Sequence, residues 1–298
     1  MKIEGIVLSC FKYDWPLARI CIASIRYWYP DIPIWLLKDQ EPGAFDTGEA
    51  EKYWHVQVYP SKRFNQGWGF GKLDVMTELP ARRLLFIDAD VVIVGRVIDR
   101  LEQFDADLVV EHHNYRLCDM GELFFALEKL HEFDPDFAFP GHAFNGGQIV
   151  ATTGRLTAGD FAGLIDWEKR RVNHPDIFQM GDQGLLNYVA LRKAQKGELV
   201  IHREPFMLWP GEPEEVKHLR LDDFSRDSAH RELIHWAGLR WGKKPSQMPR
   251  ADILEWFEER YYERIPFGPA RRYCRRFCPY GLRDLCKGLD ARLRGLLR

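Results

Sequence analysis

The chain has no long hydrophobic run. None of its apolar stretches approaches the roughly 20 residues that a membrane-spanning helix needs. The apolar segment 6–11 is cut off by Lys12 and Asp14, too soon for the core of a secretory signal, so no export signal is read there. Cysteine is scarce and unpaired: there are six, at 10, 21, 118, 274, 278 and 286, and none forms a C-x-x-C pair. In a chain this large that pattern fits reduced thiols of a cytosolic protein rather than a disulfide scaffold. Cys274, Cys278 and Cys286 have no neighbouring histidine to complete a zinc site, so no metal cluster is expected among them. Net charge is also low, at −2, which gives no whole-chain signal for a polyanionic partner. Internal repeats are absent, and no low-complexity linker precedes Pro266.

What is present is an ordinary globular composition. With 298 residues, 46% of them hydrophobic, the chain can bury a real core as one large domain or two small ones. Ten tryptophans would suit stacking on sugars or bases, although packing in the core explains them as simply. Charge is unevenly spread. Residues 264–298 hold ten Lys/Arg against two Asp/Glu, so the stretch 1–263 is correspondingly acidic. The expected organisation is a body over 1–263 and a basic tail over 264–298.

Hydrophobic patterning predicts strands over 3–9, 32–37, 55–59, 83–87 and 107–111, with helices over 16–28, 71–79 and 97–104 between them. Pro16 falls in the first turn of its helix and Asp14 near the capping position. Such alternation argues for an α/β sheet of parallel strands. The second half is less regular. A strand entered through a glycine turn is expected over 144–151, helices over 157–172, 182–195 and 251–262, and short strands over 199–202 and 232–236.

The sharpest chemical signal is the apolar strand that ends in Asp88-Ala89-Asp90. Ligands of open α/β sheets bind at the carboxyl ends of strands. Two carboxylates two residues apart point to one side of an extended chain, which suits a hard divalent cation that also holds phosphate. The plainer alternative is one Asp capping the next turn and the other solvated.

Two enzyme classes place Asp-x-Asp after an apolar strand. In haloacid-dehalogenase-like phosphatases the motif opens the domain and a later Gly-Asp-x-x-x-Asp follows an apolar strand. Here several elements come first, Gly181-Asp182 follows no such strand, and Leu186 stands where the second acid belongs. The later segments point elsewhere. In order come Lys72-Leu73, Asp88-Ala89-Asp90, Phe144-Asn145-Gly146-Gly147, Asp182-Gln183-Gly184-Leu185-Leu186-Asn187, His235-Trp236-Ala237-Gly238 and Lys243-Lys244-Pro245. Together they resemble glycosyltransferase family 8, the group of glycogenin and of bacterial lipopolysaccharide glucosyl- and galactosyltransferases.

That resemblance implies a GT-A fold, an α/β Rossmann-like mixed sheet with flanking helices, and transfer of a hexose from a UDP-sugar, with Mn²⁺ or Mg²⁺ and retention at the anomeric carbon. Its implied metal ligands are Asp88, Asp90 and His235, with Asp88 also on the donor ribose. Donor contacts would come from Lys72, Asn145, Gly146, Gly238, Lys243 and Lys244, the lysines facing the diphosphate. Asp182 and Gln183 would grip the donor sugar near its anomeric carbon. Tyr13, where this fold usually grips the base, would stack on it. The chain departs from the pattern in having Gly146-Gly147 for Ser-Gly, Gly184 for the second acid of Asp-Gln-Asp, and a longer spacing from Gly238 to Lys244. A glycan- or lipid-binding protein on the same fold, without turnover, is the other-class alternative.

In the tail, Leu282, Leu285, Leu289, Leu293 and Leu296 recur at helical spacing among basic residues. Such a helix suits an anionic membrane surface, which would hold a cytoplasmic enzyme at the inner face beside a lipid-linked acceptor. The alternative is a helix packed on the body with its arginines paired to acidic residues. No nucleic-acid module is recognised, so that partner is not expected.

Overall fold

The computed structural model describes residues 1–39, 43–60, 69–113, 115–169, 171–225, 228–240 and 243–277. Its strands are β1 (Gly5–Phe11), β2 (Ile34–Asp39), β3 (Val56–Val58), β4 (Arg83–Asp88), β5 (Val91–Ile93), β6 (Leu108–Glu111), β7 (Gln148–Thr152), β8 (Ile165–Asp166), β9 (Arg171–Val172), β10 (Ile201–Glu204), β11 (Met207–Leu208) and β12 (Leu233–His235). The helices are α1 (Trp15–Trp28), α2 (Gly48–Trp54), α3 (Phe70–Met76), α4 (Val97–Leu101), α5 (Met120–Leu123), α6 (Leu127–Phe133), α7 (Asp182–Gln195), α8 (Pro213–Val216), α9 (Ala251–Glu263) and α10 (Gly268–Phe277).

Seven strands form the central sheet in the order β10-β6-β7-β4-β1-β2-β3. The sheet is mixed, as the GT-A resemblance implies: β7 runs antiparallel to both β4 and β6. The remaining pairs are parallel. Parallel strands are buried on both faces, and their alternate residues feed two cores. Ile6 and Leu8 of β1, with Leu85 and Ile87 of β4, join the core built around α1 and α9. Val7, Leu84 and Phe86, on the opposite face, join the core built around α3 and α7. Helix α1 is buried along nearly its whole length, and its segment Leu17–Ile25 is apolar except for the buried Arg19 and Ser24.

A second sheet, β11-β12-β5, sits beyond the end of β4, with β12 antiparallel to β5. It is this small sheet that brings residue 235 to residue 90. The helix expected over 157–172 does not form. Thr157 and Asp160 cap a single 3-10 turn, Ala158–Phe161, and Gly163 then adopts φ +77°, a left-handed conformation that ends helical propagation. The chain continues as the β8–β9 hairpin. Helix α6 and strand β5 were not read from the pattern, being one or two turns and three residues long.

The first part of the basic tail is α10, which lies against the body. Arg271 and Arg275 both pair with the carboxylate of Glu49, and Arg272 pairs with Glu258. The leucine-spaced segment 282–298 lies outside the described residues. Among the described residues no helix is long and apolar enough to cross a membrane.

Candidate active site

A cleft of about 700 Å³ opens at the carboxyl end of the central sheet. Asp88 ends β4, and Asp90 lies in the tight turn that follows, so the motif is a corner rather than a continued strand. The two carboxylates nevertheless converge. Pairing of β12 with β5 sets His235 opposite Val91, and Trp236 N–H donates to the Asp90 carbonyl at 3.0 Å. His235 Nε2 comes to 3.3 Å from Asp90 Oδ1. One ligand atom from each of Asp88, Asp90 and His235 falls within 4.8 Å of the others. Two hard oxygens and one imidazole nitrogen are a donor set that Mn²⁺ or Mg²⁺ accepts.

Two further observations fit a cation there. His235 Nδ1 is buried without a hydrogen-bond partner among the described residues. Gly147 cradles the group: a Cβ on it would lie 2.2 Å from His235 Cε1 and 2.9 Å from Asp88 Oδ2. Burial alone would push His235 below the ordinary histidine value, but the Asp90 charge beside it prevails and holds the imidazole above it.

Behind the carboxylates sits Lys72 of α3, fully buried. Its ammonium reaches Asp88 Oδ1 at 2.9 Å, the Gly146 carbonyl at 2.8 Å and Asp182 Oδ2 at 3.3 Å. The first two contacts are hydrogen bonds and the third is an ion pair. Burial opposes the charged ammonium, yet the Asp182 and Asp88 charges outweigh it and keep Lys72 protonated. Asp182 opens α7. Burial pushes its carboxyl up, with Lys72 pulling the other way. Gly69 makes room for it: a Cβ there would lie 1.9 Å from Asp182 Cγ.

The rest of the ordered motifs build the wall. Gln183 accepts from Gly146 N–H at 2.9 Å and donates to the Leu123 carbonyl at 2.8 Å. Asn187 accepts from Phe144 N–H and donates to the Phe144 carbonyl, at 2.8 and 2.7 Å. Asn145 Oδ1 accepts from Gly147 N–H at 2.7 Å, closing the turn on itself. Within the turn the tight packing is at Gly147, whereas a Cβ on Gly146 meets nothing nearer than 3.6 Å. Gly184 has a packing reason, since a Cβ there would lie 2.1 Å from the Phe124 carbonyl.

Of the residues singled out from sequence, Lys72, Asp88, Asp90, Asn145, Gly146, Asp182, Gln183, His235 and Gly238 all line the cleft. Tyr13 does not. It is 54% exposed, and its neighbours Ser9, Cys10 and Phe11 line the cleft instead. Lys243 and Lys244 are exposed and off the cleft. Asp14 occupies the N-cap position of α1, but its side chain makes no capping bond and pairs with Arg240 instead. Arg240 and Glu111 were missed altogether. Glu111 is buried beneath the Asn145 turn, with Oε1 accepting from Asn145 N–H and Tyr115 Oη–H, both at 2.9 Å. Only an acidic residue ending an apolar strand marked it in sequence.

No family's sequence model matches the chain, and no curated protein matches it. Solved structures do. The chain is similar to the apo structure of WbbM, a bifunctional glycosyltransferase, at 14% identity and a TM-score of 0.56, over 92% of this chain and 52% of that one. It is similar to the galactosyltransferase LgtC in complex with donor and acceptor sugar analogues, at 15% identity and TM-score 0.54, over 90% and 99%. It is also similar to the apo-form glycosyltransferase GlyE of Streptococcus pneumoniae TIGR4, at 14% and 0.52, over 86% and 60%. The chain thus spans about half of WbbM and 60% of GlyE. At these identities the likeness is one of fold: the chain has the GT-A-type mixed α/β fold of these glycosyltransferase structures.

Proposed function

We propose that the protein is a metal-dependent glycosyltransferase that moves a hexose from a UDP-sugar to a glycan or lipid-linked acceptor, with retention at the anomeric carbon. The observation that carries this reading is the meeting of Asp88, Asp90 and His235 at the carboxyl end of β4, inside the cleft. The sugar analogues that LgtC is described with support a donor and an acceptor on this fold.

Asp88, Asp90 and His235 would hold Mn²⁺ or Mg²⁺. When bound, the cation supplies positive charge to a leaving diphosphate, whose own charge grows as the glycosidic bond breaks. The protein's residues do the rest. Lys72 holds Asp88 and Asp182 in fixed geometry and keeps positive charge behind the metal ligands. Asp182 faces the donor sugar. Gln183, Asn187 and Glu111 fix the Asn145–Gly147 turn, so that its backbone approaches the donor closely. Preorganisation of this kind lowers the barrier because the groups need not move as charge develops.

The phosphatase alternative belongs to a different fold from the one observed. A binding protein without turnover would not need a charged, buried lysine between two carboxylates beside a metal-competent triad. The proposed domain division stays at 1–263 and 264–298, with the protein cytoplasmic and the leucine-spaced segment 282–298 of its tail at an anionic membrane surface on the inner face. Incubation with Mn²⁺ and a panel of UDP-hexoses, with release of UDP as the readout, tests the activity. Release that disappears in Asp90→Asn and in His235→Ala supports the reading. Equal release from wild type and both variants contradicts it.

A further inference from the structure

The loop after β12 carries three basic residues, and the structure separates them. Lys243 and Lys244 stand exposed, whereas Arg240 lines the cleft. Its side chain is only 17% exposed. The guanidinium lies over the Phe11 ring, 5.4 Å from its centroid, and Nη1 pairs with Asp14. Its Nε lies 3.4 Å from Asp90 Oδ2. The other oxygen of Asp90 faces His235 Nε2. Asp90 therefore sits between the imidazole of the metal-competent group and the guanidinium.

A divalent cation at Asp88, Asp90 and His235 needs a carboxylate oxygen of Asp90. It also sets two positive charges beside a third, and like charges at such separations repel strongly in a partly desolvated cleft. The cation and Arg240 are competitors for one carboxylate. A guanidinium that gives up Asp90 keeps Asp14 and the Phe11 face, so it stays in the cleft. Its planar fork matches phosphate oxygens two at a time, better than a flexible ammonium does.

Resting on the nucleotide-sugar reading of this cleft, we propose that Arg240, rather than Lys243 or Lys244, is the diphosphate-binding cation of this loop. It exchanges Asp90 for the diphosphate as the divalent cation binds. Metal and nucleoside diphosphate then bind cooperatively, because each removes a partner that the other would have to displace. Coupling of this kind is reciprocal by thermodynamic necessity.

The test titrates Mn²⁺ alone, and then UDP at saturating Mn²⁺, into the full chain as wild type, Arg240→Ala and Arg240→Gln. The two measurements are expected to move in opposite directions. Without the competing guanidinium, Mn²⁺ alone binds at least about five-fold tighter, while UDP in the presence of Mn²⁺ binds at least about ten-fold more weakly. Arg240→Gln keeps most of the side-chain volume and carries the test if Arg240→Ala lowers the melting temperature. Unchanged affinities in both variants overturn the proposal, as do two changes of the same sign. A loss of UDP affinity in Lys243→Ala or Lys244→Ala that Arg240→Gln lacks also overturns it. A wild type that binds neither UDP nor Mn²⁺ overturns the functional reading itself and this proposal with it. A wild type that binds both, with Arg240 variants like it, overturns this proposal alone.

Discussion

Gly147 shows how far a single residue can govern the site. Its hydrogen occupies space that any side chain would take from His235 and Asp88. Gly147→Ala should therefore displace the imidazole, destabilise the fold by about 1–3 kcal/mol and weaken Mn²⁺ binding at least about ten-fold. Gly146→Ala makes only ordinary van der Waals contact with Gln183, at 3.6 Å, and should hold folding stability within about 0.5 kcal/mol. Thermal melts and a Mn²⁺ titration of the two variants check the contrast; equal behaviour would contradict the assignment of the cradle to Gly147. At this scale the sequence was legible where chemistry and spacing coincide. Asp88 and Asp90 end an apolar strand, and His235 lies in a motif of fixed order. Glu111, Arg240 and the pairing of Asp14 were not legible. All three are ordinary charged residues whose meaning comes from a partner on a distant segment, Arg240 for Asp14 and the Asn145 turn for Glu111.

Helix α7 carries the same lesson at the level of elements. Its start, its end and its motif were all readable, because Asp182 opens it and apolar residues recur along it. What it does was not readable. One face grips the Phe144–Gly147 turn through Gln183 and Asn187, so the helix sets the position of the wall opposite the metal ligands. Asn187→Ala removes both bonds to buried Phe144 and should cost about 2–4 kcal/mol, read as a drop in melting temperature with weaker UDP binding. Placing an acid at this position by Gly184→Asp should fail, since the Cβ alone meets the Phe124 carbonyl. A lower melting temperature is the expected result, and a stabilised variant would contradict it. The region 157–172 misread as helix because apolar residues fall at helical spacing there. Gly163 at positive φ and the Asp166–Lys169 turn override that spacing, and the periodicity alone contains neither.

At the scale of the whole molecule, the alternation of strands and helices announced an α/β sheet, whereas the order of its strands and the division into two cores come from the fold. The reversal of β7 did not show, since direction depends on which loops cross the sheet and not on the strand's composition. The joining of α10 to the body is likewise tertiary. Glu49 resists ionisation through burial, but Arg275 and Arg271 more than offset this and hold its carboxyl below the ordinary range. A carboxyl depressed in the folded state stabilises the protein above its unfolded value, and that stabilisation is lost as pH falls through the folded value. Glu49→Gln should thus lower the melting temperature at neutral pH and make little difference in strong acid, where the wild-type carboxyl is protonated as well. A gap between the two proteins that persists unchanged into acid would contradict this account of how the tail is held.

The central claim is that one cleft binds a divalent cation and a nucleoside diphosphate together, through Asp88, Asp90 and His235. Its most direct test is the melting temperature of wild type and Asp90→Asn with UDP, with and without Mn²⁺. A ligand that binds the folded state raises the melting temperature by mass action. The account predicts a rise with UDP that requires Mn²⁺ and is lost in Asp90→Asn. A protein indifferent to UDP but stabilised by Mg²⁺ with a phosphate mimic, or one whose UDP response survives in Asp90→Asn, would contradict it.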